Sequence, residues 1–145
     1  MVNEMIGTDD EIERIKREKM IKIMTEKSVE LPEGPIHIET VEQFKEYLEK
    51  YTTTPIMIDF WAPWCGPCRM LTPIYEKLAA QFKGKAIFLK LNTEELGSIA
   101  QYFGVSSIPL VVLIHENEVK GNWLGLRPIE FYQREIRDFL SKNSE

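Results

Sequence analysis

Long apolar runs are missing from this 145-residue chain. The longest, such as Ile108 to Ile114, is of strand length and well short of the ~18 residues that a membrane-spanning helix needs, so no membrane partner is expected. Basic runs are missing too, and the net charge is −5. Without a clustered positive surface, phosphate binding has no footing and nucleic acid is excluded as a partner. No positively charged start followed by an apolar block is visible in MVNEMIGTDDEIERIKREK, so no secretory signal is expected and the expected location is cytoplasmic. Cysteine is scarce: the chain has 2, whereas a disulfide-stapled secreted domain carries four or more. With 8 Gly, 8 Pro, 43% hydrophobic and 28% charged residues, collagen, overall disorder and a coiled-coil rod are excluded as well. What is left suits one domain of ordinary size plus a modest extension.

The extension is expected over 1–34 and the globular domain over 35–145. Between Asp9 and Lys27, several of Ile12, Ile15, Met20, Ile23 and Met24 stand three or four residues apart among charges of both signs, the mark of a thin amphipathic helical stripe. Asp9 or Asp10 is placed to cap its start, and Pro32 with Gly34 marks its end. From Pro35 the pattern alternates. Strands are expected at Ile36 to Glu39, Pro55 to Trp61 and Ala86 to Leu91, and a hairpin at Pro109 to His115 and Val119 to Leu124 around Glu116-Asn117. Helices are expected from Thr40 to about Tyr51 with a Thr40/Gln43 capping box, and after the cysteine pair with Pro73 inside. Two more follow, from Glu94 to Phe103 before Gly104 and from Pro128 to about Ser141. Strands separated by helices imply parallel pairing, and the late hairpin adds antiparallel strands. The fold class is α/β, a mixed central sheet flanked by helices.

The two cysteines form one close pair, Cys65-Gly66-Pro67-Cys68. Cys65 is expected in the first turn of a helix, where unpaired N–H groups and the helix dipole favour a thiolate. Cys68 lies one turn on, with Cα atoms expected ~5 Å apart, inside the window for a disulfide. An exposed, low-pKa thiol beside a sheltered one is what thiol exchange requires, the first attacking and the second resolving. Half of a zinc site is the alternative, but only His37 and His115 are left to complete it. An inert buried pair is another.

Asp59 interrupts the apolar strand, and alternation places it with Met57 and Trp61 on one face. Burial without a partner raises a carboxyl's pKa toward neutrality, and such an acid is able to take the proton from Cys68 during resolution. An aspartate bonded to backbone for structure alone is the alternative.

The segment Ile58-Asp59-Phe60-Trp61-Ala62-Pro63-Trp64-Cys65-Gly66-Pro67-Cys68 resembles the active-site segment of the thioredoxin family, and Pro73, Lys90-Leu91-Asn92, Ile108-Pro109 and Gly125 agree with it. The resemblance covers about residues 36 to 141. It implies a thioredoxin fold and a cytosolic protein-disulfide reductase that acts on disulfide-containing proteins. It also implies recharging by a thioredoxin reductase-type electron donor, with no cofactor and no metal. By position, Cys65 resembles the nucleophile, Cys68 the resolving thiol, Asp59 the proton acceptor and Lys90 its charged neighbour. Pro67 resembles the residue that biases the pair toward a reductant. Pro109 resembles the family's cis-proline, with the Ile108 backbone pairing with substrate as an added strand. Trp61, Trp64, Gly66 and Gly125 match the substrate-facing surface. A disulfide oxidase or isomerase of the same fold, and a binding module built on it, are the competing readings. Asn117 in the hairpin, Leu110 after the Ile-Pro, the third tryptophan at Trp123 and the extension itself depart from the family pattern.

Overall fold

The computed structural model describes residues 11–18 and 30–143. Contacts divide the chain into two units, Met1–Glu30 and Leu31–Glu145. In the first, residues 11–18 form a helix (α1) in which Arg14 and Glu18 approach to 4.0 Å one turn apart. Ile12 and Ile15 of the expected stripe are exposed. Met20, Ile23 and Met24 lie outside the described residues.

Residues 31–34, expected in the extension, sit on the second unit instead. Leu31 packs against its core, Glu33 pairs with Lys83, and a Cβ on Gly34 would stand 2.7 Å from the Phe88 carbonyl oxygen. Only glycine permits so close an approach of two backbones.

The second unit runs β1 (Ile36–His37), α2 (Val41–Lys50), β2 (Ile56–Trp61), α3 (Gly66–Gln81), β3 (Ile87–Asn92), α4 (Gly97–Tyr102), β4 (Leu110–His115), β5 (Glu118–Leu124) and α5 (Ile129–Lys142). The strands form one sheet in the order β1-β3-β2-β4-β5. β1, β3 and β2 are parallel, whereas β4 is antiparallel to both β2 and β5. Parallel pairing stops at β4, where the hairpin brings in the antiparallel strands expected of it. The reason is reach. A six-residue α4 rises only ~9 Å and does not carry the chain back along a six-residue strand of ~20 Å, so β4 starts from the end where β3 stops.

Period-two alternation in the strands divides the core. Ile56, Ile58 and Phe60 of β2 face a cluster with Phe44 of α2 and Ile99 of α4. Met57 faces the opposite cluster, with Leu71 and Tyr75 of α3 and Tyr132 and Ile136 of α5. The sheet is thus covered on both faces, and each fully buried Ile, Leu or Met contributes ~1.5–3 kcal/mol.

Local signals set the ends of the elements. Thr40 caps α2 by accepting from the Gln43 N–H at 3.0 Å, and Gln43 Oε1 reaches back to the Glu39 N–H at 2.7 Å. α4 starts three residues later than expected, because Asn92 takes the Glu94 N–H on its side chain and the Leu96 N–H on its carbonyl. Glu116 and Asn117 have φ of 54° and 63°, the left-handed pair of a two-residue hairpin turn. Trp123 packs edge-on against Phe131 and Tyr132, so the third tryptophan closes the hairpin onto α5.

Candidate active site

β2 delivers the chain to the head of α3. The intervening loop is held by the Cys65 N–H, which donates to the Ala62 carbonyl at 3.2 Å, and by Arg69, which donates to the Pro63 carbonyl at 2.7 Å. Cys65 itself is the N-cap of α3, with extended backbone, rather than a residue of its first turn. Its Sγ accepts from the Cys68 N–H at 3.3 Å, so one of the unpaired donors of the helix start points at sulfur. Gly66 and Pro67 open the helix, and proline is tolerated there because its missing N–H has no partner to lose.

The two sulfurs are joined as a disulfide with Cα atoms 5.3 Å apart. This excludes the zinc reading in this state, since both sulfurs are bonded to each other. The expected contrast in exposure is not seen: Cys65 is 3% and Cys68 2% exposed. In the closed pair both sulfurs pack with Ala62 beneath Trp61 and Ile108, so what separates them is position at the helix start and not access.

β2 also carries a buried carboxyl. Asp59 has no exposed surface, and neither of its carboxyl oxygens has a hydrogen-bond partner. The structural reading, a carboxylate bonded to backbone, is thereby overturned. Asp59 pairs in register with Lys90 across β2 and β3, and the Lys90 ammonium stands 3.9 Å from Oδ2. Burial pushes the Asp59 carboxyl up to about 7, with the Lys90 charge pulling the other way. Lys90 also lies over the Trp61 ring, 5.3 Å from its centroid. Sequence reasoning missed Thr72. Its hydroxyl links Lys90 to the Cys68 carbonyl through two contacts of 3.2 Å. Its only signal was a polar residue four after Cys68, on the helix face turned toward the sheet.

The remaining expected residues surround the pair. Trp64 is 67% exposed and its indole N–H donates to Glu94, a partner the sequence did not point to. Trp61 is half-buried, its N–H without a partner and its ring edge-on to His37, so it forms inner wall more than surface. Gly66 and Pro67 are exposed, and a Cβ on Gly66 would meet nothing. The peptide bond between Ile108 and Pro109 is cis, as is that before Pro35. The Gly125 N–H donates to the Pro109 carbonyl at 2.8 Å and Gly125 has φ of 86°, which fixes the end of β5 beside the loop before β4. Among the described residues no three His, Cys, Asp or Glu side chains are grouped to hold a metal ion.

Known proteins are similar to this chain in sequence and in fold. The chain is 43% identical over 86 residues to the chloroplastic thioredoxin M4 of Arabidopsis thaliana, a match of 59% of this chain and 45% of that protein. It is 38% identical over 99 residues to a thioredoxin of Rickettsia felis, covering 68% of this chain and 89% of that one. The crystal structure of the thioredoxin NaTrxh from Nicotiana alata superposes with a TM-score of 0.68 at 26% identity, over 77% of this chain and 96% of that one. The chain spans about half the length of the chloroplastic relatives it matches. The family model for thioredoxin matches residues 35–138, which contain the sheet, the cysteine pair, Asp59 with Lys90, and the loop at Pro109. By that match the chain belongs to the thioredoxin family.

Proposed function

We propose that this chain is a protein-disulfide reductase working through the Cys65/Cys68 dithiol. The observation that carries the reading is the disulfide at the head of α3, with Cys65 Sγ facing the Cys68 N–H. In the reduced protein that N–H and the helix dipole favour a thiolate at Cys65. The thiolate attacks one sulfur of a substrate disulfide, forming a mixed disulfide and expelling the other substrate sulfur as a thiolate. Cys68 then gives up its proton to Asp59 and attacks Cys65 Sγ. The substrate's second thiolate leaves and the Cys65–Cys68 disulfide forms, so two electrons have passed to the substrate. Asp59 suits this exchange because its carboxyl is poised near neutral pH.

The exposed Trp64, Gly66 and Pro67 frame the approach of a protein substrate, with the Ile108 backbone as a strand for it to pair with. An external thioredoxin reductase-type donor returns the two electrons. A close cysteine pair kept reduced in this way fits the cytoplasm, the location we assign.

Insulin reduction with dithiothreitol or a reductase as donor tests the reading. Cys65→Ser is expected to abolish turnover, and Cys68→Ser to accumulate a substrate adduct on Cys65, seen by mass spectrometry. An adduct on Cys68 in the Cys65→Ser protein, formed at the wild-type rate of attack, would reverse the two roles. A wild-type chain that reduces no disulfide would remove the reading altogether.

A further inference from the structure

Thr72 joins the two halves of the site, yet the exchange described above gives it no part. It sits one turn after Cys68 in α3, and its hydroxyl donates to the Cys68 carbonyl at 3.2 Å. The same oxygen accepts from Lys90 Nζ at 3.2 Å. Lys90 is 7% exposed, so its choice of partners is narrow. Held by Thr72 and seated over Trp61, its ammonium lies 3.9 Å from Asp59 Oδ2, beyond hydrogen-bond reach. Both Asp59 oxygens are accordingly left without a donor. A lysine carries its compact charge on a flexible four-carbon stem and is free to close the last ångström. The hydroxyl gives it somewhere else to be.

We infer that Thr72 is a positioning residue, whose hydroxyl keeps the Lys90 ammonium beside Asp59 instead of on it and so leaves the Asp59 carboxyl free to exchange a proton. The inference deepens the reading of Asp59 as proton acceptor and rests on it. Lys90 from β3 is the charge that acts on Asp59, and Asp59 in turn acts on two further titratable groups, Tyr75 of α3 and Tyr132 of α5. β4 sets Val111 opposite it. Tyr75 and Tyr132 donate their hydroxyls to the Leu89 and Gly125 carbonyls, and burial pushes both further above their ordinary range. They stay neutral where Asp59 titrates. With the cysteines closed as a disulfide, Lys90 is the charge whose place decides how readily Asp59 ionises.

The test is a carbon-13 carboxyl titration of Asp59 in the oxidised full-length protein, a readout that needs no turnover. Thr72→Val removes the hydroxyl at nearly constant shape, releases Lys90 onto Asp59 and is expected to lower the Asp59 midpoint by about one pH unit. Thr72→Ser is expected to keep the wild-type midpoint. Thr72→Ala, a good helix former, repeats the test should the valine protein fold poorly. In a Lys90→Met background, Thr72→Val is expected to change nothing, because the charge it releases is gone. A midpoint that is unchanged or raised in both hydroxyl-free proteins overturns the inference, as does a full shift in the Lys90→Met background. Failure of the wild type to reduce insulin would sink the reductase reading alone, since the titration compares the carboxyl itself.

Discussion

A carboxyl sealed from solvent with no hydrogen bond makes Asp59 a liability at neutral pH that function must justify. Its folded pKa of about 7 stands above the ordinary 3.8. Between those values the folded protein keeps a proton that the unfolded chain has lost, so stability falls as pH rises from about 4 to about 7 and is level beyond. Asparagine does not titrate. Asp59→Asn is therefore expected to leave stability unchanged near pH 4 and to raise it at pH 8 by ~2–4 kcal/mol, because each pH unit between the folded and unfolded midpoints is worth about 1.4 kcal/mol. Urea unfolding at the two pH values checks this. The same protein is expected to resolve mixed disulfides more slowly, and an unchanged rate and pH profile would leave Asp59 without a part in proton transfer. That Asp59 matters was legible in the sequence, because a charge inside an apolar strand has few harmless explanations. Its pairing with Lys90 came only from the family resemblance, since periodicity does not show that β3 lies beside β2. Thr72 was less legible still, a threonine in a helix being most often solvated surface.

Elements were legible where the local chemistry is self-sufficient. The capping residues of α2 and the left-handed turn at Glu116-Asn117 need only neighbours in sequence, and both stand where the sequence put them. The late start of α4 escaped because the Asn92 side chain decides it, not periodicity. The hairpin is also open to improvement. Glu116 has φ of 54° and Asn117 φ of 63°, and glutamate gains nothing from the left-handed region. Asn-Gly is the pair this turn prefers. The double change Glu116→Asn and Asn117→Gly is expected to stabilise by ~0.5–1 kcal/mol, a rise in Tm measurable by calorimetry. A fall would mean that the exposed Glu116, 3.9 Å from His115 Nδ1, contributes more through that contact than the backbone loses.

At the scale of the whole molecule, every residue of the site, from Asp59 to Gly125, belongs to the unit Leu31–Glu145. That unit holds the complete sheet and both core clusters. A chain beginning at Leu31 is therefore expected to fold and to reduce insulin at the full-length rate. The break in composition falls before Pro35, four residues after the boundary that contacts give, because Leu31 to Gly34 read as the end of a helix, with Pro32 and Gly34 as stop signals. Their role depends on Phe88, far away in sequence, against which Gly34 is packed. A chain beginning at Pro35 loses the half-buried Leu31, and for that loss alone is expected to be ~1–2 kcal/mol less stable than one beginning at Leu31. Urea unfolding of the two truncated chains decides between the boundaries. Equal stabilities would return residues 31–34 to the extension. Loss of insulin reduction in the chain beginning at Leu31 would instead place a needed part of the enzyme within residues 1–30.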